Sequence, residues 1–317
     1  MFINQADPPT IAGIPDTCTD ADIAIDNAID LWEHTVDPQS GASGLTYSIT
    51  ANTNPSCGVS LDSNRYIDIN PIPGWTGYSD VTVRATDPDG MWDDDRFCVV
   101  VARPFDNVRA ASANPNGTWV LLRDKIITWG GLPGGGWVYA GEFYVGEADR
   151  ASGIRVMGKN PGYAHYVTIA GPLGISNFQR WIDAYYVSSS GVSPIMTPLY
   201  MLNRTLGGAS PDAFTPAVPE GANGLYNVGL LVCSTGLVTG YAPMALELYG
   251  FYMSDGSSVI DNPSGEPSVF VDCQWIGSLP DIGSYVRVTG TSGAGVYDGK
   301  PMRVLTPHYQ SDIVVVE

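Results

Sequence analysis

An all-β protein is what this sequence predicts, and three observations carry the expectation. Short runs that alternate apolar and polar residues, such as LTYSIT (45–50), DVTVRAT (80–86) and RFCVVVA (96–102), are separated by turns of Asp, Asn, Gly and Pro. The 317 residues include 37 Gly, 24 Pro and 17 Tyr, with few of the Ala, Leu, Glu and Lys runs that sustain helices. One strand–turn–strand shape also occurs twice. GEFYVGEADRASGIRVMG (141–158) and GFYMSDGSSVIDNPSGEPSVFVDC (250–273) share an aromatic opening, an acidic Gly/Ser-rich turn and an alternating apolar close.

The length allows two or three domains, each with its own core. Charge is unevenly spread: residues 1–106 hold 17 acidic and 4 basic side chains, net −13, which leaves −5 of the total −18 for the rest. The boundary is therefore expected near Pro104. So acidic a surface is a poor partner for nucleic acid. No run of 18 apolar residues is present, so no membrane-spanning helix is expected. The opening MFINQADPPT lacks the basic and apolar regions of a signal peptide, which suggests a mature product or a fragment. Low Lys, abundant Gly, Ser, Thr, Asn and Tyr, and 5 cysteines without a CxxC pair suggest an extracellular or cell-surface setting.

In the first third, roughly seven short strands, YIDIN (66–70) among them, fit a β-sandwich. The segments DPQSGASGLTYSI (37–49) and ATDPDGMWDDDRFCVVV (85–101) resemble the Asp-rich strand junctions of cadherin-like and immunoglobulin-like repeats in bacterial surface proteins. That resemblance implies that the turns at Asp37 and at Asp87 to Gly90 share one end of the sandwich. Asp37, Asp87 and Asp89 are then candidate calcium ligands, calcium being the one cofactor to consider. Asp-Pro and Asp-Gly are equally ordinary turn formers. The same implied strand order puts Cys18 and Cys57 near the opposite end, where a disulfide closing about forty residues would add roughly 3 to 4 kcal/mol. Cys98, inside an apolar strand, is expected as a buried free thiol. The run Asp93, Asp94 and Asp95 is expected to be a solvated, edge-protecting stretch before it is a pair of glycosidase acids.

In the remainder, VLLRDKIITW (120–129), the first hairpin, YVTIAGPLG (166–174) and RWIDAYYV (180–187) recur as GLLVCSTGLVTG (229–240), the second and longer hairpin, YVRVTGTSG (285–293) and KPMRVLTPHYQSDIVVVE (300–317). Five or so bent strands with an acidic hairpin between the second and third resemble the OB-fold, and in particular tandem OB-fold modules of large secreted bacterial proteins. The full expectation is an extension (1–8), an immunoglobulin-like/cadherin-like sandwich (9–105), an OB-fold-like barrel (106–188), a Pro/Gly-rich connector (189–226) and a second barrel (227–317). The connector segment PIMTPLYML (194–202) is apolar enough to pack on a neighbour. Within the first hairpin, Phe143, Val145, Ile154 and Val156 take one face, while Glu147, Asp149 and Arg150 occupy the turn as architecture.

Catalytic signatures are sparse. His34, His165 and His308 form no HExxH or HxH set, and the chain has no GxSxG elbow or P-loop. A non-catalytic protein is expected. Two functions fit: the subunit of an extracellular or surface filament built head to tail from copies of itself, or a carbohydrate-binding accessory region of a secreted enzyme or adhesin. In the first, Phe2 and Ile3 on the N-terminal tail supply a latch to a neighbouring copy. In the second, Trp129, Trp181, Tyr185 and Tyr186 offer stacking faces to extracellular glycans. Asn116 and Asn203 each begin an N-glycosylation triplet.

Overall fold

The computed structural model describes residues 7–130, 141–159, 161, 165–242, 249–274 and 276–316. Among the described residues the protein is all-β apart from one short helix and isolated 3₁₀ turns. It divides into two compact units, Met1–Pro104 with Trp119–Leu121, and Phe105–Thr118 with Leu122–Glu317.

The first unit contains β1 (Thr10–Ile11), β2 (Thr17–Asp20), β3 (Ile25–Asp30), β4 (Thr35–Val36), β5 (Thr46–Asn52), β6 (Val59–Asp62), β7 (Tyr66–Ile69), β8 (Gly77–Thr86) and β9 (Trp92–Pro104). One sheet runs β5-β8-β9-β2, a second runs β3-β7-β6, and β1 pairs with β4. Alternation along β8 turns Val81, Val83 and Ala85 inward. They join Phe97, Val99 and Val101 of β9 with Leu31, Ile67 and Ile69 in one core.

The acidic run on β9 is not a solvated edge. Asp93 Oδ2 accepts from the Ile11 backbone N–H at 3.0 Å and Asp95 Oδ2 from that of Ile14 at 2.9 Å. Asp94, pointing the other way, forms a forked pair with Arg84 at 2.7 and 2.8 Å, and that guanidinium lies 3.5 Å over the Trp92 ring. The run ties the N-terminal segment to the sheet because successive strand residues face opposite sides and both sides have a partner.

The second unit contains helix α1 (Val108–Ser112) and strands β10 (Trp119–Gly130, whose first three residues belong to the first unit), β11 (Glu142–Gly146), β12 (Gly153–Met157), β13 (His165–Ser176), β14 (Gln179–Asp183), β15 (Tyr186–Val192), β16 (Leu199–Tyr200), β17 (Leu231–Tyr241), β18 (Gly250–Ser254), β19 (Val269–Asp272), β20 (Tyr285–Tyr297), β21 (Lys300–Thr306) and β22 (Ile313–Val315). Two five-stranded circuits result, β10-β11-β12-β14-β13 and β17-β18-β19-β21-β20, each closed by a pairing of its last strand with its first. Their ladders correspond residue by residue. The first hairpins place Phe143 opposite Val156 and Phe251 opposite Val271. The register breaks at Ile127/Trp129 in one circuit and at Val238/Gly240 in the other. In both, the fifth strand runs parallel to the third, with Ile182 opposite Val156 and Leu305 opposite Val271.

The circuits meet backbone to backbone. A Cβ added at Gly153 would come within 2.6 Å of the Gly229 carbonyl group. Thr128 Oγ1 donates to Gly229 O at 2.9 Å across the same seam. The apolar connector divides its side chains: Met196 packs with Ile126 and Leu231, and Leu199 and Met201 lie on the second circuit's core, while Ile195 and Tyr200 stay 74% and 76% exposed.

Candidate functional site

The residues singled out in the sequence separate once placed. Asp37 and Asp87 are both buried, but each forms a local turn. Asp37 Oδ1 accepts from the Gln39 N–H at 2.9 Å, and Asp87 Oδ1 from the Met91 N–H at 2.8 Å. Asp37 Oδ2 is buried without a hydrogen-bond partner, the feature that favours a cation there. Yet Asp37, Asp87 and exposed Asp89 do not assemble a ligand set: among the described residues no three His, Cys, Asp or Glu side chains gather as a metal would require. Each carboxylate accepts from the backbone of its own turn, two residues on at Asp37 and four at Asp87.

The expected disulfide is also absent. Cys57 is a free thiol in the sandwich core, 3.7 Å from Asn52 Oδ1. Cys18 adjoins inward-facing Thr19 on β2, so alternation turns it to the opposite face and a bridge would have to cross the sheet. Cys98 is half-buried rather than buried, and desolvation, reinforced by the Asp16 and Asp80 carboxylates, pushes its thiol up to about 12. Asn203 is 1% exposed, its amide donating to Met253 O at 3.0 Å and accepting from Ser234 Oγ at 2.7 Å, so it cannot serve as a glycan acceptor in the folded chain. Asn116 is exposed, in a turn, with its amide oxygen accepting from Arg180.

Of the aromatic residues, Trp181 lays its ring on Gly174, where an added Cβ would meet Cε2 at 2.5 Å. It packs on a neighbouring strand instead of presenting that face. Tyr185 is 40% exposed and Tyr186 half-buried at the start of β15. The side chain of Trp129, and Phe2 and Ile3, lie outside the described residues. In the first hairpin turn, Glu147 pairs with buried Lys125 at 3.0 Å and accepts from the Val108 N–H at 2.7 Å, fixing the start of α1.

The chemistry that sequence inspection missed lies on the fifth strand of each circuit. Two residues before Ile182 and Leu305 come Arg180 and Arg303, at matching positions, 3% and 1% exposed. Arg303 is matched by a carboxylate: Nε and Nη2 donate to the two oxygens of Asp261 at 2.8 Å each. Nη1 donates to Asn203 O at 2.7 Å, and Nη2 also reaches Val259 O and Ser268 O at 3.0 Å.

Arg180 has no such partner. Nη2 donates to Ser112 O and Asn114 O at 3.1 and 2.5 Å, Nη1 reaches the Asn116 amide oxygen, and Nε is buried without a hydrogen-bond partner. Burial pulls its guanidinium down from the usual arginine value, an effect that nearby Asp212 opposes. Asp212 is itself engaged, accepting from the Phe214 and Thr215 N–H groups at 2.8 Å and from Thr215 Oγ1 at 3.0 Å.

Arg180 lines a cleft of about 390 Å³, counted to its open mouth, with Val108, Arg109, Ile154, Asp212 and Tyr226 among its walls. The Tyr226 hydroxyl is likewise buried without a partner, and burial pushes its phenol up, so it stays protonated at neutral pH. The available sequence signal was the spacing: an arginine two residues from an apolar inward position shares that position's face.

No family model and no curated protein matches the chain. Among solved structures, the protocadherin gamma B2 extracellular cadherin domains 1–5 share 11% identity at a TM-score of 0.25, over 94% of this chain and 60% of that one. The protocadherin gamma B4 extracellular domain shares 14% at 0.25, over 97% of this chain and 50% of that one. A Bacteroides ovatus mixed-linkage glucan utilization locus protein, SGBP-B, in complex with a mixed-linkage heptasaccharide, shares 11% at 0.19, over 95% and 70%. The chain thus spans 50 to 60% of these two cadherin chains. The superpositions are loose, and the architecture rests on the strand order itself.

Proposed function

We propose that this chain is a non-catalytic structural subunit of the cell surface or extracellular space that joins copies of itself head to tail. In this reading the first unit is a cadherin-like or immunoglobulin-like sandwich and the two circuits are OB-fold-like barrels whose role is architectural. The observation that carries it is the apolar surface at strands that end the sheet orders among the described residues. β15 ends one sheet order and β16 begins another; Val192 on β15, Tyr200 on β16 and Ile195 between them are 78%, 76% and 74% exposed. An edge strand flanked by exposed apolar side chains is a template for another chain. One such heterologous joint that does not close a ring yields a filament.

A non-catalytic role is supported by how the interior charges are used: Lys125–Glu147 and Arg303–Asp261 join strands to loops. Light scattering across a concentration series, with electron microscopy of the purified protein, tests the proposal. The expected result is mass that grows with concentration into linear polymers, and growth that is lost in an Ile195→Lys, Tyr200→Lys variant. A chain that stays monomeric at all concentrations and binds glycans belongs to the carbohydrate-binding class instead.

A further inference from the structure

From the Arg180 cleft we infer a binding site for one small anion, a halide or a single carboxylate oxygen, held between the Arg180 Nε–H and the Tyr226 O–H. Two of the residues that line this cleft carry donors that are buried without a hydrogen-bond partner, Arg180 Nε and the Tyr226 hydroxyl. A buried guanidinium with an open N–H and a buried hydroxyl without a partner are each costly, and an anion that accepts from both removes both penalties.

The protein supplies its own template for the occupant. At the matching position of the second circuit, the Nε–H of Arg303 is answered by the Asp261 carboxylate at 2.8 Å. Asp261 comes from the long connection between β18 and β19, residues 255–268, whereas the connection between β11 and β12 spans only 147–152. The short turn sends its acidic residue, Glu147, to Lys125. Nothing in the first hairpin takes the place of Asp261, and an external anion does.

Size and charge narrow the ligand. The cleft leaves about 20 Å³ of room for the centre of a water-sized species. That is enough for one water or one ion of similar size. Arg109 at the wall adds a second positive charge against the single negative charge of Asp212. Because Nη1 and Nη2 are already bonded to Ser112, Asn114 and Asn116, the contact is through Nε alone and not the forked grip seen on Arg303.

The test is thermal unfolding of the full chain in sulfate buffer, titrated with potassium bromide or potassium formate at constant ionic strength, for the unaltered protein and Tyr226→Phe. A site half-filled at ~10 mM shifts the folding equilibrium about tenfold at ~100 mM anion. The expected result is a saturable rise in Tm for the unaltered chain that Tyr226→Phe loses, and a bromide anomalous peak beside Arg180 Nε in a soaked crystal. Formate that displaces the bromide peak identifies a carboxylate oxygen as an occupant, and bromide that resists formate identifies a halide site. Equal responses of the two proteins to both salts, or a peak elsewhere with none beside Arg180, overturn the proposal.

Discussion

In the second circuit, residues 255–268 deliver Asp261 to Arg303, while Val259 O and Ser268 O accept from the same guanidinium. In the first circuit the equivalent turn is 147–152, and the guanidinium of Arg180 is covered from elsewhere, by the carbonyls of Ser112, the last residue of helix α1, and Asn114 beyond it. The strand ladders match, including the position of the register break, so the difference arises in a connection and not in the frame. A closed strand circuit can keep an arginine at an inward position when any loop long enough supplies oxygens. Only a carboxylate also neutralises it.

The largest effect is expected at the satisfied arginine. Asp261→Ala leaves Arg303, 1% exposed, without its counter-charge. Removal of one partner of a buried pair costs about 3 to 5 kcal/mol. Urea denaturation should show that loss with an unchanged slope. A cost below about 1 kcal/mol would mean that the carbonyl acceptors alone suffice.

Acid acts next, and on the second circuit. Burial holds His308, after β21, down to about 4 against an ordinary value of 6.5. Between those values the unfolded chain binds more protons than the folded one. The stabilising difference is complete above about 6.5 and is lost as pH falls toward 4, by at most about 3 kcal/mol. His308→Gln should flatten the pH dependence of the denaturation midpoint over that window.

A smaller effect is expected where the circuits touch. Gly153→Ala places a methyl group 2.6 Å from the Gly229 carbonyl group, so one backbone must shift. Overpacking of this kind costs about 1 to 3 kcal/mol. Calorimetry should show a lower Tm, and an unchanged Tm would show the seam to be loose.

Much of this frame was legible in the sequence. The hairpins of Phe143 to Val156 and Phe251 to Val271 could be seen because period-two alternation is a local property, and repetition removed the ambiguity of a single instance. The functional candidates were less legible because each depends on a partner distant in sequence. Asn203 carries a glycosylation triplet but is enclosed by Met253 and Ser234. The aspartates of 93–95 seemed a solvated run, yet two of them cap N–H groups on residues 11 and 14. In QRWID nothing local marks the arginine as buried, since its cover comes from residues 112–116.

The central claim, that one frame holds a neutralised arginine and an unneutralised one, is tested most directly by Arg303→Met and Arg180→Met compared in the same sulfate buffer, free of halide and carboxylate. Equilibrium urea denaturation gives the two costs. Arg303→Met strands Asp261 as a buried carboxylate and should lose about 3 to 5 kcal/mol. Arg180→Met gives up hydrogen bonds but also removes a buried charge that no carboxylate bonds, Asp212 lying near it but engaged in its own turn, and should lose no more than about 1 to 2 kcal/mol. Equal losses, or a greater loss at Arg180, would contradict the account.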